Sequence, residues 1–247
     1  MNSPAPCLAD IDVVILAGGL GTRIRDTLGD TPKLLAPVAG TPFLDLLIRR
    51  LQSFGARRLV LGLGHLADRV QAHLAANPPD GIEAITAVEP KPLGTAGALR
   101  FVRPHIKTDP VLVMNGDSFF AADLGAFVES HRAGGTDASI LCAPVENTQR
   151  FGRLDISDDG RVRAFLEKDD SQSQGQPAPG VINAGVYLFD RTMLDRIDEM
   201  PGPSLERDVF EQLAPGTLNA VTGDGAFIDI GTPDDLARAA DVLKPYF

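Results

Sequence analysis

Tryptophan is absent from the 247 residues, and tyrosine occurs only twice. The flat aromatic platforms that stack on carbohydrate are therefore scarce. Cysteine is equally sparse, with Cys7 and Cys142 far apart in the chain. Two such thiols make neither a metal-ligand pattern nor a disulfide framework, and they suit a reducing compartment such as the cytoplasm. His65, His73, His105 and His131 show no ligand spacing and read as surface or structural residues. No run of about 18 apolar residues occurs, so no membrane partner is expected. The opening MNSPAPCLAD has no basic start and no apolar run, so no secretory leader is expected. Positive charge is the minority, 23 Lys and Arg against 33 Asp and Glu, for a net −10. That balance excludes a broad nucleic-acid footprint, which needs a basic face. An acidic chain can still bind an anion, but only by gathering its cations locally.

What remains is a globular composition, 44% hydrophobic with mixed charge. It rules out disorder as the main state. Ile11 to Leu16 reads as a buried strand, being β-branched and bounded by Gly18-Gly19. Strands are also predicted at 58–64, 82–88 and 111–117, and helices at 42–54, 66–76, 95–102 and 123–132. This alternation predicts a mainly parallel sheet with right-handed crossovers over about residues 11–135. The pattern then changes. Strand-like stretches at 138–145, 152–157, 162–167 and 183–189, with turn signals such as Asp158-Asp159-Gly160, predict a more antiparallel second half. Helices at 204–213 and 233–243 follow. The second opens on Thr232-Pro233-Asp234-Asp235, with a cap, a proline at the first helical position and acid in the first turn. No internal repeat occurs, and Ser171 to Gly180 reads as a surface loop or a lid. One α/β domain over 1–247 is expected.

The strongest local signal is Leu16-Ala17-Gly18-Gly19-Leu20-Gly21-Thr22-Arg23, followed by Pro32-Lys33. It lies beyond the carboxyl end of the first strand, where open α/β sheets bind ligands. Closely spaced glycines let backbone N–H groups approach phosphate oxygens. Arg23, Arg25 and Lys33 concentrate positive charge here. A dinucleotide fingerprint would need glycine where Ile24 stands, and a Walker loop would need Lys33 to follow a glycine. A tight strand-to-helix turn with incidental arginines is the alternative.

This loop resembles the signature of the sugar-1-phosphate nucleotidylyltransferases. The similarity continues in order through Glu89 to Leu99, Asn115 to Phe120, Arg150 to Ser157, Phe165 to Lys168, Ile182 to Phe189 and Phe227 to Ala239. Asn115–Phe120, Ser204–Asp208 and Phe227–Asp235 are most similar to guanylyltransferases of heptose 1-phosphate. Two departures are visible. Leu34 stands where the family usually has a second proline, and the stretch after Lys168 is longer and more polar.

The resemblance implies a Rossmann-like three-layer nucleotide-diphospho-sugar transferase fold with a mixed, mainly parallel sheet. It also implies nucleotidyl transfer from a nucleoside triphosphate to a sugar 1-phosphate. Arg23 would then neutralise the departing pyrophosphate, and Lys33 would hold the α-phosphate region. Leu16, Ala17, Gly18, Gly19, Gly21 and Thr22 would carry the nucleotide, with Glu89, Gly94 and Thr95 at the base. Asp117 and Asp229 would ligate Mg²⁺, which takes oxygen donors and often only one or two carboxylates. Gly152, Glu167, Lys168 and Asn183 would form the sugar-phosphate pocket. Glu89 can accept from both N1–H and the N2 amino group of guanine, whereas uracil offers one edge donor, so GTP is favoured. A heptose or mannose 1-phosphate is the expected acceptor. UTP- or CTP-dependent transfer to another sugar 1-phosphate stays open, as does a catalytically silent regulatory subunit. The presence of Arg23, Lys33 and both aspartates speaks against the latter. No fused C-terminal β-helix is expected, and a homo-oligomer is left open.

Overall fold

A computed structural model describes residues 6–148, 151, 153–166 and 178–246. In chain order the elements are β1 (Asp12–Ala17), α1 (Arg25–Leu28), β2 (Pro37–Val38), β3 (Thr41–Pro42), α2 (Phe43–Ser53), β4 (Arg58–Leu63), α3 (Ala67–Ala76) and β5 (Glu83–Val88). Next come α4 (Gly94–Val102), β6 (Val111–Asn115), β7 (Ser118–Phe120), α5 (Leu124–Gly134), β8 (Ala138–Val145), β9 (Arg153–Ile156) and β10 (Val162–Leu166). The chain closes through β11 (Gly180–Phe189), α6 (Arg191–Glu199), β12 (Leu218–Thr222), β13 (Phe227–Asp229) and α7 (Pro233–Leu243).

In the first half β5, β4, β1 and β6 lie side by side, all parallel. The second half joins through β11, which runs antiparallel to β6 on one edge and to β8 on the other. Beyond β8 lies β12, parallel to it, while β9 and β10 extend the sheet past the first part of β11. Alternation of apolar side chains explains the three layers. Val13, Ile15, Leu59, Leu61, Leu112 and Met114 face α2, α3, α5 and α7. Val14, Val60, Val111 and Val113 face α4 and α6 instead. Phe43, Leu44, Leu47 and Leu51 bury one face of α2 against the first layer.

The predicted strands and crossover helices are present, within a residue or so in most cases. Thr232 accepts from the Asp235 amide and caps α7, as its motif predicts. Four differences have physical reasons. The fourth strand ends at Asn115 rather than Asp117, because Gly116 turns the chain and β7 departs to pair with β13. The predicted helix at 204–213 is instead one wide π turn, Leu205–Val209, followed by a short 3-10 turn. There, the Asp208 carboxylate accepts from the Ser204 amide and Ser204 Oγ from the Arg207 amide, satisfying backbone groups outside a regular helical ladder. The strand predicted from 183 starts at Gly180 and carries a register shift between Asn183 and Val186. Finally, α6 and β12 lie outside the elements predicted from the sequence: β12 takes its place by long-range parallel pairing with β8, whereas α6 is amphipathic, burying Met193, Leu194 and Ile197.

Candidate active site

The glycine loop leaves the carboxyl end of β1 between two other parallel strand ends, those of β4 and β6. The fit is close at residue 18, against Glu89 and residue 64. A Cβ at residue 18 would stand 2.4 Å from Glu89 Oε1, and one at residue 64 would stand 2.4 Å from the Gly18 carbonyl oxygen. Gly21 takes a left-handed φ of 58°, which a larger residue adopts only under strain.

Two cavities open on either side of this loop. The first, about 230 Å³, is lined by Ala17, Arg23, Lys33, Asp117 and Asp229, with Leu16, Gly19, Gly21 and Thr22 from the loop. The second, about 430 Å³, is lined by Gly18, Glu89, Gly94, Thr95 and Asn115, and shares Leu16, Gly19, Gly21, Thr22 and Asp117 with the first. The four residues expected to act on phosphate thus converge in one cavity, and those expected at the base converge in the other.

In the first cavity Lys33 Nζ donates to Asp117 Oδ2 at 2.7 Å and lies 4.0 Å from Asp229 Oδ1. The two carboxylates meet because β7 and β13 pair antiparallel, placing Asp229 opposite Ser118. The Ile230 amide then donates to the Asp117 carbonyl at 2.9 Å. Asp229 accepts from the Gly231 amide. Burial, reinforced by the neighbouring Asp117 charge, holds the Asp229 carboxyl above the usual carboxylate range, while Lys33 pulls the other way. One ammonium therefore does not fully offset two carboxylates. Arg23 is exposed at the mouth and has no ion-pair partner among the described residues.

In the second cavity Glu89 is buried, and burial raises its carboxyl above the ordinary value. Glu89 Oε2 accepts from the Leu93 amide at 3.1 Å, whereas Oε1 is buried with no hydrogen-bond partner among the described residues. An acceptor orphaned in this way is costly unless a ligand supplies a donor. Gly94, with φ 72°, opens α4 beside it, where a Cβ would stand 2.5 Å from the Pro203 carbonyl oxygen.

Residues 12–244 match the family described as nucleotidyl transferase. The chain belongs to that family. It is 33% identical to the mannose-1-phosphate guanylyltransferase of Mycobacterium tuberculosis over 95% of its own length and 65% of the relative's. It is 31% identical to D-glycero-alpha-D-manno-heptose 1-phosphate guanylyltransferase from Aneurinibacillus thermoaerophilus, over 96% of this chain and the whole of that one. The structure of HddC from Yersinia pseudotuberculosis superposes with a TM-score of 0.81 at 33% identity, covering 94% of this chain and 98% of that one. The same protein complexed with GMP-PN gives a TM-score of 0.80. Three-layer architecture and mixed sheet thus agree with the resemblance read from the motifs.

Not every expected site residue of this transferase falls in the two cavities. Asn183 lines neither; its amide is held by Tyr187 and the Gly185 N–H. Gly152, Glu167 and Lys168 lie outside the described residues, as does most of the 171–180 stretch. Two residues passed over in the sequence do line the cavities. His65, read as surface or structural, borders the phosphate side just past β4, and Asn115 borders the base side at the end of β6. Both stand at the carboxyl end of a parallel strand; Asn115 also opens the Asn115–Phe120 motif, whereas no motif marks His65. His131, by contrast, is buried between Ser139 and Asp190, at 2.8 and 3.0 Å.

Proposed function

We propose that this chain transfers a guanylyl group from GTP to the phosphate of a heptose or mannose type sugar 1-phosphate, releasing pyrophosphate. The carrying observation is the buried Glu89 carboxylate with its unpartnered Oε1, set beside the cavity that gathers Arg23, Lys33, Asp117 and Asp229. Guanine presents two adjacent donors to such a group. Similarity to two guanylyltransferases and to a structure complexed with GMP-PN supports the same base.

A sugar-phosphate oxygen attacks the α-phosphorus, a new P–O bond forms, and the bond to the β-phosphate oxygen breaks as pyrophosphate leaves. The nucleophile is already an anion, so no general base is needed. Catalysis rests on positioning and on charge stabilisation along the line of attack. Lys33 holds the α-phosphate region, and Arg23 faces the departing pyrophosphate. Backbone N–H groups of the 17–22 loop seat the nucleotide. Asp117 and Asp229 are oxygen donors with an excess of negative charge over Lys33, which fits a hard divalent cation such as Mg²⁺. Bound there, Mg²⁺ supplies Lewis-acid neutralisation of phosphate oxygens. Asn183, with residues 152, 167 and 168, is assigned to the sugar phosphate, so the second half of the chain recognises the acceptor. Two free thiols suit a cytoplasmic setting.

A panel of four triphosphates against several sugar 1-phosphates, read by pyrophosphate release, tests the assignment. GTP should give the highest kcat/KM, and Glu89→Gln should narrow its lead over UTP by at least about tenfold while leaving the fold intact. A higher kcat/KM with UTP would refute the base assignment. A companion variant probes the geometry. In Gly18→Ala the new methyl displaces the Glu89 carboxylate, the far end of a flexible side chain, rather than backbone. GTP affinity should fall about tenfold or more with little change in Tm. Unchanged GTP binding would show that Glu89 does not need its present position.

A further inference from the structure

Glu206 lies in the wide turn after Ser204 and touches neither cavity directly. Three hydroxyls from three parts of the chain converge on it. Thr95 Oγ1 lies 3.2 Å and Ser204 Oγ 2.9 Å from Oε2, and the Tyr187 hydroxyl lies 3.2 Å from Oε1. Each of these hydroxyls already accepts from an N–H. Leu205 N donates to Thr95 at 2.8 Å, Arg207 N to Ser204 at 3.3 Å, and Asn183 Nδ2 to Tyr187 at 2.8 Å. All three hydroxyl protons are therefore left to point at Glu206. Only an acceptor-only group satisfies them together, and a carboxylate is one. Tyr187 is fully buried, which keeps its hydroxyl protonated and in need of an acceptor.

The network has two ends. Thr95 is on the wall of the base cavity, in the first turn of α4, whose position against the 203–205 backbone is also held by Ala96 N donating to the Pro203 carbonyl at 2.8 Å. Asn183 is at the register shift of β11, its Oδ1 accepting from Gly185 N at 2.8 Å, so its amide is oriented at both ends. We propose that Glu206 is a positioning residue that sets the hydrogen-bond direction of this network and thereby holds the base-side Thr95 and the sugar-side Asn183 in register with each other. The functional half of this inference rests on the assignment of Asn183 and Thr95 to the two substrates.

The diagnostic variant is Glu206→Gln, which keeps shape but turns an NH₂ toward at least one hydroxyl proton. Loss of such a bond costs about tenfold in affinity. Glu206→Gln should raise KM for both GTP and the sugar 1-phosphate by about tenfold, with a smaller change in kcat. Tyr187→Phe should raise only the sugar KM and Thr95→Val only the GTP KM. Tyr187→Phe combined with Glu206→Gln should be less than additive for the sugar. Both KM values within twofold of wild type in folded Glu206→Gln would overturn the proposal. If that variant does not fold, the two single-arm variants decide, and an equal effect of either on both substrates overturns it. A readout independent of turnover is the side-chain amide resonance of Asn183 in the substrate-free protein. It should shift in Tyr187→Phe and in Glu206→Gln. An unmoved resonance sinks the coupling even if transfer is confirmed, whereas a shifted resonance without transfer in the wild type faults the functional assignment alone.

Discussion

Asp229→Asn is expected to lower turnover by about 10³-fold or more while leaving the protein at least as stable as before. The loss follows from removing one of the two oxygen-donor carboxylates assigned to the cation, an interaction amounting to several kcal/mol of transition-state stabilisation. The stability half is the sharper part. Burial and the nearby Asp117 raise the Asp229 carboxyl above its ordinary value, so holding it ionised costs the folded protein more than it costs the unfolded chain. Asparagine removes that charge, keeps an oxygen to accept from the Gly231 amide, and leaves the Lys33–Asp117 pair at 2.7 Å intact. In cation-free buffer Tm should stay level or rise. Asp117→Asn should abolish turnover similarly, but it breaks that close ion pair and carries no such gain. Excess chelator should stop the wild type. Full turnover in chelator, or Asp229→Asn within about threefold of wild type, would remove the cation from the mechanism. A large drop in Tm would show that Asp229 is structural.

Arg23→Ala is expected to lower kcat by about 10²–10³-fold, the usual cost of deleting one preorganised charge contact. Arg23 is exposed and has no ion-pair partner among the described residues, so stability should change by only about 0.5 kcal/mol or less. KM for the sugar 1-phosphate should hold within about threefold, because Arg23 is assigned to the triphosphate. Steady-state kinetics beside a thermal melt check both. A kcat near wild type would make the arginine a bystander of the glycine loop, and a sugar KM that rises as far as kcat falls would place it at the acceptor instead.

The amino-acid sequence by itself determined the parallel half of the sheet and marked the strand end beside which the two cavities open. β1, β4 and β6 are short apolar runs because both faces of a central parallel strand are covered, and such runs are legible locally. The 16–23 loop declared itself through its closely spaced glycines; in the fold Gly18 lies against the Glu89 carboxylate and the residue 64 backbone, and Gly21 takes a left-handed φ. Asp117, Asp229, Arg23 and Lys33 were found through motifs, not through any sign that they touch. Only the tertiary structure brings Lys33, Asp117 and Asp229 together, with Arg23 lining the same cavity; the β7–β13 register that sets the two aspartates side by side is a pairing between strands so far apart in the chain that no local pattern encodes it. The same holds for the unpartnered Glu89 Oε1, for His65 and Asn115 at neighbouring strand ends, and for Glu206, whose three hydroxyl partners include Thr95 and Tyr187 from other elements. Segment 204–213 reads as helix on its own residues and becomes a wide turn because its backbone and side chains are held by Ser204, Asp208 and the start of α4. Local chemistry names the groups a site needs, but their partners are set by long-range strand pairing and burial, which only the folded chain contains.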